Sequence, residues 1–312
     1  MKYLSQDGVK YLWSKIKSTF TLKSDFDAGV VNENMLINSN FAWPVNQRRQ
    51  TMYPASVQTE YTIDRWQLAY TNMQVSVMDT YIRLKTTAQS DMLLIRQYVE
   101  MSTDAIPEVM TLSFRAKASA NSKFDLYETG RHFVIGTAWK TYSITFKKSE
   151  LGNSLGPNFF IVYLGIKPNT DGGETKLPSG RVLDIAWAKL EAGAKATTYV
   201  PPNYEEELQK CRRYFVKYYS WNNAILTRGD NNNLVAYIPN LFMRINPSVR
   251  YAGIKTSGMT GTGVVADKEL TTVSATLTHT DGTQIYFTLS GNPINYGVGM
   301  FIKDIELDAE YH

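Results

Sequence analysis

The sequence predicts a mainly β fold: an N-terminal helix, a jelly-roll β-sandwich, a linking helix and a small C-terminal β-domain. Three observations carry this. Short runs alternate apolar and polar residues at a period of two, as strands with one buried face do. Stretches rich in Gly, Pro, Asn and Ser, such as "GNSLGPN" and "KPNTDGGETKLPSG", separate those runs. The 312 residues include 20 Tyr, 13 Phe and 6 Trp, a balance suited to pleated surfaces.

Residues 1–33 read as a helix and a linker. Ser5 is a plausible N-cap, and Val9, Leu12, Trp13, Ile16 and Phe20 share one helical face. Such a lone amphipathic helix must dock on something to hide its stripe. Residues 34–202 carry the strands of the sandwich. In "TLSFRAKAS", Leu112, Phe114, Ala116 and Ala118 alternate with Ser113, Arg115, Lys117 and Ser119. In "TYSITFK", Tyr142, Ile144 and Phe146 alternate with polar residues. "FFIVYLGI" is apolar on both faces and reads as a central strand. Many short strands with turns between them indicate a sandwich, of which a jelly roll is the expected version.

Residues 203–312 form the third segment. Asn203 with Glu206 fits a capping box, and Glu205, Glu206 and Glu207 suit a helix N-terminus. Leu208, Cys211, Phe215 and Tyr218 then follow a helical stripe, with Cys211 as a small core residue. Strands return afterwards. Val273, Ala275 and Leu277 face Ile285, Phe287 and Leu289 in a hairpin whose turn contains Asp281 and Gly282.

Composition excludes several functions. Net charge is +4, and the basic residues are scattered rather than striped, so no nucleic-acid partner is expected. The single cysteine rules out an internal disulfide. No apolar run is long enough to span a bilayer, and the N-terminus lacks a signal-peptide pattern; synthesis in a reducing cytoplasm is expected. Serine-hydrolase and zinc chemistry need His and Cys clusters that three His and one Cys do not supply. No phosphate or dinucleotide loop is present. No catalytic residue and no organic cofactor is expected.

"NMLINSNFAWPVNQR" followed by "YTIDRW" resembles the opening of carbohydrate-binding-module-like jelly rolls in bacteriophage tail fibre and receptor-binding proteins. Asn38, Phe41, Pro44, Asn46, Gln47, Arg48, Asp64, Arg65 and Trp66 carry the likeness. "KLEAGAKAT" and "CRRYF" are similar to the exit of that module. Pro239, Met243, Arg244, Pro247 and Val249 match a segment of fibre head domains, and "LSQDGVKYLWSKIK" is similar to a phage attachment helix. The long shaft common in tail fibres is missing. The resemblance implies a non-enzymatic homotrimeric virion fibre, assembled in the bacterial host cytoplasm. Its N-terminal helix would dock on other virion proteins, and the fibre would attach to a host-surface glycan. A non-catalytic decoration, head-fibre or adaptor protein is the alternative. A carbohydrate-active enzyme ranks third, because two facing carboxylates would suffice for it.

A sugar platform needs exposed aromatics beside Asn, Gln, Arg or Asp. Candidates are Trp43, Tyr53, Tyr70, Tyr127 and Trp139 in the sandwich, and Trp221, Tyr237, Tyr251 and Tyr296 beyond it. Trp66 directly follows Arg65, so as strand neighbours Trp66 packs inside and Arg65 does not. Asp171 and Glu174, in a Gly-rich loop, are weak candidates for a structural calcium.

Overall fold

In the computed structural model, residues 32–54, 59–126, 132–219, 233–239, 241–250, 253–260, 263–264, 270–278, 282–289, 298–303 and 305–311 are described. The predicted N-terminal helix, and Tyr127, Trp221, Tyr251 and Tyr296, lie outside them. Eleven strands precede the helix: β1 (Met52–Pro54), β2 (Gln67–Leu68), β3 (Met73–Val77), β4 (Ile82–Thr86), β5 (Leu93–Glu100), β6 (Val109–Ala118), β7 (Ser122–Asp125), β8 (His132–Ile135), β9 (Lys140–Lys147), β10 (Phe159–Ile166) and β11 (Val182–Ala192). Helix α1 (Tyr204–Arg212) follows, then β12 (Phe215–Tyr218), β13 (Asn233–Pro239), β14 (Ser248–Arg250) and β15 (Gly253–Thr260). The remaining strands are β16 (Gly263–Val264), β17 (Leu270–Thr278), β18 (Gly282–Leu289), β19 (Val298–Lys303) and β20 (Ile305–Asp308).

Two antiparallel sheets form the sandwich. One has the order β1-β3-β4-β11-β6-β9 and the other β10-β5-β2. The chain crosses between them at β1–β2–β3, at β4–β5–β6 and again at β9–β10–β11. Alternation fixes the shared core: Ile82 and Leu84, Leu112 and Phe114, Leu183 and Ile185, and Phe160, Val162 and Leu164 all face it. Phe41 packs edge-on against Trp66 at 5.2 Å. Within β10, Gly165 lies so close to β5 that a Cβ there would sit 2.0 Å from the Leu93 carbonyl oxygen. The expectation of a central strand for β10 is corrected: it flanks β5, and its second apolar face carries Phe159, Ile161 and Tyr163 on the outside of the sheet.

Beyond β11 the chain turns at Gly193, whose φ of 102° suits glycine. Residues 193–200 then run back over the outer face of the large sheet. Tyr199 stacks on Trp187 at 4.4 Å. Lys189 and Glu191 pair at 3.1 Å beneath this strap. The Thr197 N–H and hydroxyl both donate to Glu191, at 2.8 and 2.6 Å. The "KLE" and "AT" residues of the exit segment are therefore the two sides of one clasp.

Asn203 caps α1, its side chain accepting from the Glu205 and Glu206 N–H groups. Cys211 is fully buried, as expected. The helix is shorter than its apolar spacing suggests, for Phe215 and Tyr218 belong to a strand. β12 pairs with β20, matching Phe215 to Asp308 and Tyr218 to Ile305. The β-prone run "FVKY" takes the ladder hydrogen bonds that β20 offers. Among the described residues β12, β20 and β14 form one sheet, β13-β18-β17 a second and β16-β15-β19 a third. The predicted hairpin is β17–β18, with Val273 opposite Phe287 and Ala275 opposite Ile285.

Candidate functional site

The "NQR" and "DRW" motifs build a junction. Asn38 adopts φ 56°, which Asn tolerates better than most residues. From there its side chain accepts from the Val45 N–H (2.7 Å) and donates to the Val45 and Asp64 carbonyls (2.8 and 2.7 Å). The Thr62 N–H donates to the Trp66 carbonyl at 2.8 Å, closing a turn in which Arg65 has φ 71°. Strand alternation therefore does not apply at this point. Trp66 is buried as expected, but Arg65 is buried too. The Arg65 guanidinium pairs with Glu310, donates to the Tyr98 carbonyl at 2.6 Å and lies 3.5 Å from the Tyr214 ring centroid. Asp64 accepts from Arg48 at 3.0 Å and from the Gln47 side chain at 2.9 Å. Burial pushes the Asp64 carboxyl up to about 7, against the opposing pull of Arg48 and Gln47.

The same residues grip the outgoing and returning chain. The Gln47 amide donates to the Phe215 carbonyl at 2.6 Å, and the Tyr219 hydroxyl donates to the Gln47 carbonyl at 2.6 Å. Arg48 lies 3.7 Å from the Phe215 ring centroid. The Ala309 N–H donates to the Tyr214 carbonyl at 2.7 Å.

Beside this junction a cleft of about 1110 Å³ opens against the outer face of the smaller sheet. Tyr98 and Tyr311 form its wall, stacked at 5.0 Å with 9° between their planes. Phe159 meets each of them at 5.2 Å. Arg244 covers Tyr311 at 3.8 Å and donates to the Ala309 carbonyl at 3.0 Å. Glu100 accepts from the Tyr214 hydroxyl at 2.6 Å and from Arg213 at 3.4 Å. Gln97, Asn158 and Lys210 also line the cleft. Stacking surface and groups that can donate to or accept from hydroxyls thus meet in one concave site.

Among the described residues, none of the sequence-predicted contact residues lines this cleft. Trp43 is 74% exposed and leans on Tyr204 at 6.1 Å, beside Pro201 and Pro202. Tyr53 is corrected: it is 1% exposed, pairs opposite Val75 and gives its hydroxyl to Asn46, so it offers no contact surface. Trp139 is half-buried and meets Tyr81 edge-on at 5.5 Å over the outer face of the large sheet. Tyr70 is half-buried and donates to Asp91 at 3.1 Å. Tyr237 lies opposite Gln284 in the β13–β18 ladder, and its side chain is outside the described part. Glu174 is held by Arg181 at 2.5 Å and by the Asn169 N–H at 2.9 Å, so its carboxylate pins the loop to the sandwich. Asp171 is exposed. Among the described residues no three His, Cys, Asp or Glu side chains cluster as a metal site would require. One signal for the cleft was present in the sequence: Tyr98 lies in register with Arg96 and Glu100, on the more exposed face of its strand.

No protein-family model matches the chain, and no curated protein matches it. Among solved structures the chain is similar to one named "BiXyn10A CBM1 APO", at 15% identity, over 39% of this chain and 82% of that one, with a TM-score of 0.26. A likeness of that size does not bear on what the chain binds.

Proposed function

We propose that this chain is a non-catalytic glycan-binding attachment protein of a bacteriophage virion. The observation that carries the glycan reading is the Tyr98–Tyr311–Phe159 wall, set beside Arg213, Arg244, Glu100 and Asn158 in one open cleft. Aromatic faces stack on the apolar side of a pyranose, while the polar groups take its hydroxyls. The ordered run of motifs from Asn38 to Val249 supports the virion reading. Individually weak sugar contacts gain strength through multiple copies, so the working form is a homotrimer. The N-terminal segment joins it to the virion.

A glycan array probed with the purified protein tests the reading, with Tyr98→Ala alongside. The Tyr98 side chain is half-buried on the outer face of its strand, and its carbonyl bond to Arg65 survives the change. Wild-type binding that falls about tenfold in the variant is the expected result. An array with no bound glycan, or polysaccharide turnover by the purified protein, overturns it. Light scattering that gives a monomer mass removes the trimer. Phe242 and Ile245, 53% and 45% exposed, suit a protein contact in the adaptor alternative; Ile245 is on the cleft margin. Binding to virion proteins without any glycan binding would establish that alternative.

A further inference from the structure

The outer face of the large sheet carries a second aromatic surface, on the side of the sandwich opposite the cleft. The strap of residues 193–200 covers one part of that face and leaves the rest open. Across the open part runs one transverse row: Ser76 opposite Arg83, Arg83 opposite Asp184, and Asp184 opposite Lys117. Asp184 is buried in this row, bridged by Arg83 at 2.8 and 3.0 Å, with Lys117 at 3.7 Å. Lys85 and Arg115, two residues along the same strands, point to the same side. Neither has an acidic partner among the described residues. Arg83, Lys85, Arg115 and Lys117 therefore share the open part of this face with one carboxylate, Asp184, which is already neutralised.

The aromatic pair lies within this field. Trp139 and Tyr81 meet edge-on at 5.5 Å. Arg115 and Lys117 lie 5.9 and 5.2 Å from the Trp139 ring centroid, and the Arg83 guanidinium donates to the Tyr81 hydroxyl at 3.1 Å. We propose that this face binds an acidic polysaccharide, with Trp139 stacking on a sugar ring and Arg115, Lys117 and Lys85 taking its carboxylates. A carboxylate borne on the ring fits, because the cations adjoin the stacking surface and a charge between distant rings would miss them. The basic residues of β4 and β6 lie two strand spacings apart, about 10 Å, a span that a disaccharide covers. Charge excess on an open, rigid face also favours association with an extended polyanion.

This site does not rest on the cleft, and its test separates the two. Binding of the full chain to sodium polygalacturonate, dextran and single-stranded oligothymidylate is measured by calorimetry at several salt concentrations. Polygalacturonate binding that weakens with salt, with dextran and oligothymidylate unbound, is expected. Trp139→Ala and the double variant Arg115→Ser/Lys117→Ser should each weaken it about tenfold, with circular dichroism unchanged, while Tyr98→Ala leaves it intact. No polygalacturonate binding by the wild type, equal binding to dextran or to oligothymidylate, or full binding by both folded platform variants overturns the proposal.

Discussion

Glu310→Ala should loosen the returning segment from the sandwich. Arg65 and Glu310 pair with side chains almost fully removed from solvent. Removing one member of a buried pair costs about 3–5 kcal/mol, since the other charge stays buried. Arg65 keeps its bond to the Tyr98 carbonyl and its place over the Tyr214 ring, which pulls the cost toward the lower end. The Arg65 N–H also loses its acceptor at 3.2 Å, a loss of about 1 kcal/mol. The net is about 3–4 kcal/mol, or a fall in Tm of roughly 6–16 °C at 2–4 °C per kcal/mol. Urea unfolding measures the size. Hydrogen exchange in the 60–68 and 305–311 peptides shows whether loss begins at the junction. Arg65→Met/Glu310→Leu removes both charges together and should recover stability to within about 1 kcal/mol of wild type. A loss below about 1 kcal/mol in Glu310→Ala, with exchange unchanged, would refute the clamp.

Further expectations concern single residues. Asn38→Ala removes three buried hydrogen bonds at a left-handed backbone position and should cost about 2–4 kcal/mol by urea unfolding. Gly165→Ala forces a methyl against the Leu93 carbonyl and should destabilise the β5–β10 pair by at least about 1–3 kcal/mol, read as a lower Tm. Asp64 titrates higher in the folded chain than the ordinary carboxylate near 4. The folded state thus holds a proton that the unfolded state has lost. The stabilising contribution is complete below about pH 4 and disappears as pH rises through about 7. Asp64→Asn should therefore flatten the dependence of Tm on pH between 4 and 8; an unchanged slope would count against this assignment. Burial raises the Cys211 thiol well above its ordinary range, so a thiol reagent should label it only at the rate of unfolding.

What the sequence discloses depends on how local the deciding contact is. β6, β9 and the β17–β18 hairpin follow from alternation, because each pairs with a strand near it in sequence. The Asn203 cap needs only the next three residues. Arg65 fails the same logic, for its burial depends on a turn at φ 71° and on a carboxylate 245 residues away. Leu208, Cys211, Phe215 and Tyr218 fit a helical period, yet the last two extend because β20 supplies a ladder ninety positions later. The cleft was hidden for a related reason. Tyr98, Phe159, Arg244 and Tyr311 come from four separate parts of the chain, and only the fold makes them neighbours.

The "NQR" and "DRW" residues owe their pattern to mechanics rather than to a ligand. Gln47 and Arg48 hold Phe215, where the chain leaves the sandwich, and Arg65 holds Glu310, where it returns. Asp64 ties Arg48 and Gln47 together, and Arg65 follows it directly in the chain, so the groups that hold the outgoing and returning strands are neighbours. Because β12 and β20 are also paired with each other, neither can part from the sandwich without straining the other. A pull on the β-strands between them is then resisted by two anchored strands in parallel, not by one linker. That property suits the attachment role proposed above, wherever the contacts with a surface lie. The motif supplies it with buried charges whose loss is costly, which explains why polar residues occupy positions where an ordinary sandwich would place apolar ones.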